Sequence, residues 1–123
     1  MKGFEPGCCY TRRQINQEVG GNLQSYLPIA NGRVVCACLR LDLNPEAPCV
    51  VLVGNRKNVM MTGRLLSGQG GSIPMFLRRA KHRWEYQGNF AVARSTQARE
   101  EVAVHTRKSG RDNLTRVIYM QRA

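Results

Sequence analysis

Residues 73–88 decide the fold, and they read IPMFLRRAKHRWEYQG. The two ends are apolar or aromatic, and the middle carries five basic side chains, Arg78, Arg79, Lys81, His82 and Arg83. This pattern predicts two strands joined by a turn, because alternate residues of a strand face opposite sides. Trp84 and Tyr86 then share one face. Five basic side chains cannot all be buried, so we expect the turn to face solvent or phosphate.

Three further segments have the composition of strands. Residues 33–40 follow an Asn-Gly turn, residues 49–53 are wholly apolar and residues 114–120 alternate between apolar and polar side chains. The second strand of the hairpin is expected to extend through residues 89–93. In residues 33–40, alternation places Cys36 and Cys38 on the same face, where cysteine behaves as a small hydrophobe.

Helices are expected to be few and short. Thr11 and Gln14 form a capping-box pattern that predicts a helix over Arg12–Val19, stopped by Gly20-Gly21. A second helix is expected over residues 58–66, broken by Gly63, and a helical or irregular stretch over residues 95–104, followed by a basic loop over residues 106–113. These elements predict one α+β domain over residues 1–123, a small curved mixed sheet or open barrel with two or three short flanking helices.

The charge indicates a polyanionic partner. Nineteen Lys and Arg residues against eight Asp and Glu residues give a formal net charge of +11, and fifteen of the nineteen are Arg. Arginine pairs bidentately with phosphate and with guanine, so nucleic acid is the expected partner. A purely solubilising charge is the plainer alternative. A membrane surface is not expected, because no amphipathic helix of useful length accompanies the charge.

The five cysteines, Cys8, Cys9, Cys36, Cys38 and Cys49, are odd in number and follow no leader pattern. This is typical of a reducing compartment, and we expect an intracellular protein, cytoplasmic or nucleoid-associated. Neither cysteine pair has the C-x-x-C spacing of a zinc site, and each histidine stands alone in sequence. We therefore expect no metal and no cofactor.

Catalysis has little support in the sequence. No serine lies in a G-x-S-x-G motif, and no Walker loop is present. His82 or His105 could act with nearby arginines on a phosphodiester, which leaves a small metal-independent nuclease or base-processing hydrolase as the enzyme alternative. A histidine in a basic loop is more commonly a nucleic-acid contact or a solvated side chain.

Several segments resemble, in order and spacing, the SRA-like (SET-and-RING-associated) domains that accompany HNH nuclease modules in modification-dependent restriction enzymes, within the PUA-like barrel superfold. The resemblance covers residues 5–93. It rests on Gly7, Tyr10-Thr11-Arg12-Arg13, Gly20-Gly21, Gln24-Ser25-Tyr26-Leu27-Pro28, Asn44-Pro45, Ala47-Pro48, Gly54, Ile73-Pro74, Phe76, Trp84, Tyr86 and Gly88. The chain has neither an HNH motif nor the Tyr-Asp-Gly signature of better-known SRA domains.

The resemblance implies recognition of a modified base in DNA, commonly a 5-substituted cytosine, by flipping the nucleotide into a pocket. It implies base-binding roles for Tyr10, Gln24, Ser25, Tyr26, Trp84 and Tyr86, with Trp84 and Tyr86 forming either the pocket wall or its support. Phosphate contacts are expected from Arg12, Arg13, Arg78, Arg79, Lys81, His82 and Arg83.

The sequence thus predicts a non-catalytic DNA-binding module that passes its recognition to a partner or fused effector such as a nuclease. The alternative binding class is an RNA-binding PUA-like domain, which would use the same basic hairpin and aromatic side chains.

Overall fold

The computed structural model describes residues 3–123, which form a curled mixed sheet shaped as a half-barrel, with three helices. The strands are β1 (Cys9–Tyr10), β2 (Ile29–Ala30), β3 (Arg33–Val34), β4 (Ala37–Leu39), β5 (Val50–Val53), β6 (Ser72–Ala80), β7 (Arg83–Thr96) and β8 (Arg116–Arg122). The helices are α1 (Arg12–Val19), α2 (Lys57–Gly68) and α3 (Arg99–Ser109). The predicted α+β class, a small curved mixed sheet with short flanking helices, is confirmed.

The basic hairpin lies at the centre of the sheet. The strand order is β4-β6-β7-β8-β5, with β1 added to β7 and with β2 and β3 forming a separate pair. β4 runs parallel to β6, and the other pairs are antiparallel. The predicted turn between β6 and β7 consists of Lys81 and His82, and His82 has a φ of 64°. The hairpin therefore forms as the alternation predicts, and β7 extends past residue 93 to Thr96.

Helix α1 forms where its capping signal predicts. The Thr11 hydroxyl accepts a hydrogen bond from the Gln14 amide at 3.1 Å, and the Gln14 side chain accepts one from the Thr11 amide at 2.9 Å. Ile15 is the buried residue of this helix. It packs against a cluster on one face of the sheet that includes Cys36, Cys38, Phe76, Trp84 and Tyr86. The prediction that the two cysteines share a buried face is confirmed.

The opposite face of the sheet carries the main core. Leu27, Leu39, Val51, Leu66, Met75, Leu77 and Ile118 are among its buried side chains. Helix α2 covers this face through Leu66 and the half-buried Val59. A smaller cluster of Val50, Leu52 and Val117 packs against Val102 of α3. Two faces of one sheet are thus buried by different helices.

Three expectations about element boundaries were wrong. Gly63 does not break α2; it is buried in the helix, and a Cβ there would lie 2.7 Å from Cγ2 of Val53, so the glycine permits close packing. Helix α3 continues through Ser109, into the segment expected to be a loop. The expected strand over residues 33–40 is interrupted after Val34, where the Val35 amide bonds to the Pro28 carbonyl at 2.9 Å.

Within residues 3–123, no helix is long and apolar enough to cross a membrane.

Candidate nucleic-acid interface

The tip of the hairpin presents three exposed basic side chains in succession, Lys81, His82 and Arg83. None of them forms an ion pair with a residue that the structure describes. Arg83 has one weak contact, with its Nη2 at 3.9 Å from Sγ of Cys9 on β1. The positive charge at the tip is therefore available to an anion.

A shallow hollow of about 240 Å³ lies beside the hairpin, where the ends of β4 and β6 meet. Arg40, Arg78 and Arg79 line it together with Asp42. Arg40 binds Asp42 in bidentate geometry, at 2.7 and 3.1 Å, and this hydrogen bonding lowers the pKa of the Asp42 carboxyl below its ordinary value. Arg79 pairs with Glu85 on β7. Of the three arginines, Arg78 forms no ion pair with a described residue.

Arg40 is a candidate phosphate contact that the sequence reasoning missed. Arg40 is the last residue of a predicted strand, and a basic side chain at a strand end is the sequence feature that could have identified it. Its nearness to Arg78 depends on the parallel pairing of β4 with β6, in which Leu39 lies opposite Leu77. Alternation within one strand does not specify which strand lies next to it.

Arg12 contacts two of the predicted site segments, the loop of residues 21–26 and the hairpin. Its Nη2 donates to the Ser25 carbonyl at 2.8 Å and to the Asn22 carbonyl at 3.4 Å. Its guanidinium carbon lies 5.2 Å from the centroid of the Trp84 ring. Arg12 thus holds the loop of residues 21–26 against the hairpin, whereas Arg13 is exposed. A phosphate contact by either arginine stays a prediction.

The loop of residues 21–26 is ordered by its own side chains. The Asn22 Oδ1 accepts hydrogen bonds from the amides of Gln24, at 3.0 Å, and Ser25, at 2.6 Å. The Ser25 hydroxyl accepts one from the Leu27 amide at 3.1 Å. The Gln24 side chain is exposed and forms no hydrogen bond with a described residue, so it is the loop side chain most available to a ligand.

Gly21 fits this loop for a structural reason. Its φ is +83°, and a Cβ there would lie 2.5 Å from Cβ of Pro28. Gly20 is the C-cap of α1, as the predicted helix stop at Gly20-Gly21 requires. At Gly21 the backbone approaches Pro28 of the same chain.

Tyr26 points toward the interior. Its hydroxyl donates to the Val59 carbonyl of α2 at 2.7 Å. Burial raises the pKa of Tyr26 to about 12, and hydrogen bonding with Thr62 only partly opposes that effect. In this arrangement the ring braces the loop against α2, and stacking on a base would require it to leave that position.

The other predicted aromatic residues form a packed cluster. Trp84 and Tyr86 are 9% and 8% exposed, and the Tyr86 hydroxyl lies 2.6 Å from Oδ1 of Asn89. Tyr10 is half-buried, with its ring centroid 5.0 Å from that of Phe4 in edge-to-face geometry. This packing favours support of a binding surface over direct formation of a pocket wall.

The two histidines lie in different environments. His82 is exposed at the hairpin tip, whereas His105 of α3 is 5% exposed. The His105 Nε2 lies 2.9 Å from the Tyr119 hydroxyl, and its Nδ1 lies 3.6 Å from a Glu46 carboxylate oxygen. Its burial gives a phosphodiester no access to the ring.

Metal-ligating residues are dispersed in the part of the chain that the structure describes. No three His, Cys, Asp or Glu side chains among residues 3–123 come close enough together to hold a metal ion.

Comparison with protein-family models, with curated proteins and with solved structures finds no match to this chain. The hairpin, α1 and the loop between residues 21 and 26 are the parts of the molecule whose geometry bears on function.

Proposed function

We propose that this protein is a non-catalytic DNA-binding module of SRA-like type that reads a modified base, a 5-substituted cytosine, by flipping it out of the duplex. Unpaired positive charge at the hairpin tip carries the proposal. Lys81 and His82 form the turn and Arg83 begins β7, so two hydrogen-bonded strands hold these three exposed side chains close together. Phosphate contacts from such a tip would fix the position of the protein on a duplex. An intracellular location near the nucleoid, and an effector such as a nuclease as partner, are parts of the same proposal.

The hairpin and the loop of residues 21–26 have complementary roles in this proposal. Phosphate contacts fix the register of a protein on a duplex but carry no sequence information, which must come from contacts to a base. Gln24 can supply such contacts, because its amide both donates and accepts hydrogen bonds. Arg12 connects the two parts, since it contacts both the loop and Trp84.

Flipping requires that contacts offset a few kcal/mol of lost stacking and pairing. Phosphate contacts by the hairpin and by the arginines that line the hollow beside it would contribute most of that free energy. Discrimination between cytosine and its 5-substituted forms would come from the loop, because phosphate contacts are the same whichever base is present.

Equilibrium binding to matched duplexes tests the proposal. Fluorescence anisotropy at fixed salt would compare one labelled duplex carrying cytosine, 5-methylcytosine or 5-hydroxymethylcytosine with an RNA of the same sequence. We expect duplex DNA to bind more tightly than the RNA, and a modified duplex to bind most tightly. Equal affinity for all three DNA duplexes would refute the reading of a modified base, and preference for RNA would refute DNA as the partner.

A flipping assay addresses the mechanism. 2-Aminopurine placed beside the modified cytosine becomes more fluorescent when its neighbour leaves the stack. We expect this increase with the native protein and a smaller one with Gln24→Ala. Gln17→Ala is the matched control, because Gln17 is an exposed glutamine on α1 outside the loop. An equal increase with both variants would exclude Gln24 from the base contact.

A further inference from the structure

Helix α2 has a second stripe, of two methionines flanked by two cations, that faces away from the core. Lys57, Met60, Met61 and Arg64 follow the i, i+3, i+4, i+7 spacing of one helix face. Met60 is 40% exposed and Met61 is 54% exposed, whereas Thr62, Gly63 and Leu66 of the same helix are buried against the sheet. The helix therefore carries apolar side chains on two sides, of which the folded chain covers one.

This stripe forms one wall of a groove. The groove has a volume of about 640 Å³ and also contacts Val53 of β5, Thr115, Arg116 at the start of β8, and Gln97, which follows β7. Past Gln97 and Thr115 it continues into a second hollow of about 350 Å³. The second hollow is lined by Arg99, Val102, Ala103 and Thr106 of α3 and by Leu114. The two hollows thus meet at Gln97 and Thr115 and together extend from α2 to α3.

The charges along the groove have one sign. Lys57, Arg64, Arg99 and Arg116 line it, and none of the four forms an ion pair with a described residue. Of the residues lining the two hollows, none is acidic and none is aromatic. An occupant should therefore be anionic and should present apolar side chains. Bases of a single-stranded nucleic acid would find no ring to stack on.

We propose that this groove docks an acidic amphipathic helix of a protein partner. Methionine is flexible and polarisable, and surfaces rich in it accommodate apolar anchors of different shapes. An amphipathic helix binds in a groove through apolar anchors spaced i, i+3, i+4 and i+7. Such anchors would contact Met60 and Met61, and Lys57 and Arg64 would face the acidic side chains of the partner. Cations along the edge would steer the acidic face and fix its register.

The dimensions set the length of the partner segment. Helix α2 has 12 residues and, at about 1.5 Å per residue, is ~18 Å long. A partner helix of at least about twelve residues would lie along the stripe, and a longer one would reach the hollow at α3. The docking surface uses none of the residues assigned to DNA binding, so the inference stands independently of the proposed function.

A synthetic peptide tests the proposal. The probe is a fluorescein-labelled 18-residue peptide of Leu, Glu and Ala, with Leu at i, i+3, i+4 and i+7 and Glu on the opposite face. Two control peptides keep its length: one scrambles the order and so removes the stripe, and the other replaces Glu with Lys. We expect micromolar binding of the probe alone, measured by anisotropy with the full chain. Failure of the probe to bind, or equal binding of the scrambled peptide, would overturn the proposal.

Variants locate the binding surface. Met60→Gln with Met61→Gln should weaken probe binding at least tenfold, and Arg64→Glu should do so independently. Arg107→Glu is the charge-matched control, because Arg107 is exposed on α3 and does not line the groove. Unchanged affinity in both groove variants would overturn the proposal, as would a loss equal to theirs in the control. A loss of single-stranded DNA affinity in the methionine variant, with probe binding retained, would assign the groove to nucleic acid instead.

Discussion

Replacing the two unpaired charges at the hairpin tip should change how DNA affinity depends on salt. In the double variant Lys81→Ala/Arg83→Ala, both side chains removed are exposed, and neither forms an ion pair with a described residue. The loss of stability should be small, because the weak contact of Arg83 with Cys9 is the one side-chain hydrogen bond to a described residue that the substitutions remove. Binding can therefore be measured on a folded protein.

The magnitude follows from counterion release. Each phosphate neutralised on duplex DNA contributes about 0.9 to the slope of log affinity against log salt concentration. Phosphate contacts by all five basic side chains of the hairpin would give a slope near −4.5, and removing two of those contacts should leave about −2.7. The same relation predicts an affinity about 60-fold lower at 0.1 M salt, and nearly equal affinities for the two proteins at 1 M.

The assay is anisotropy with one labelled duplex at five or more salt concentrations. Arg56→Ala/Arg107→Ala is the matched control, because it removes the same net charge from two other exposed arginines that have no ion-pair partner among residues 3–123. We expect the slope of the control to stay near that of the native protein. Equal slopes for the native protein and the hairpin variant would show that the tip does not contact phosphate. Equal losses in both variants would mean that net charge alone drives binding.

Three further predictions concern the structure that supports the site. Gly63→Ala should destabilise the protein by about 1–3 kcal/mol in urea denaturation, because the added Cβ would lie 2.7 Å from a methyl carbon of Val53; an increase in stability would contradict that packing. Asn44→Ala should cost about 1–3 kcal/mol in the same assay, since it removes the acceptor 2.9 Å from the buried Leu52 amide, and an unchanged transition midpoint would contradict it. Ultraviolet titration of the native protein against Tyr26→Phe should show Tyr26 ionising near pH 12, as its burial requires. Because an unfolded tyrosine ionises at about pH 10, the stability from Tyr26 is present below pH 10 and is lost as pH rises toward 12; ionisation near pH 10 in the folded protein would refute this.

Local patterns predicted the elements whose signals lie within a few residues. The capping box placed α1 correctly, and alternation gave the hairpin and the shared face of Cys36 and Cys38. Helix α3 was predicted poorly because most of its residues are polar and its buried residue is His105. His105 packs beside Tyr119, 14 residues away in sequence, so no local pattern indicates this contact.

The candidate site was predictable only where its signals lie close together in sequence. Basic residues adjacent in sequence identified the hairpin tip, which the structure leaves exposed. The inward orientation of Tyr26 depends on its hydrogen bond to Val59, 33 residues away. The spacing of Met60 and Met61 is visible in the sequence, but the groove beside α2 is not, because it forms only where α2, β5 and β8 come together.

The two arginines at the start of α1 differ in their contacts, and so in whether they are available to a ligand. A cation in the first turn of a helix opposes the helix dipole at a cost of about 0.3–1 kcal/mol. Arg12 offsets that cost with its hydrogen bonds to two carbonyls and its contact with the Trp84 ring. Arg13 has no such contact among the described residues, so the free protein leaves its charge beside the positive end of the helix. A phosphate bound there would interact favourably with both the guanidinium and the dipole. In the proposed complex with DNA, binding would turn an unfavourable placement into a favourable one, and Arg13, rather than Arg12, would be the arginine of α1 that contacts a phosphate.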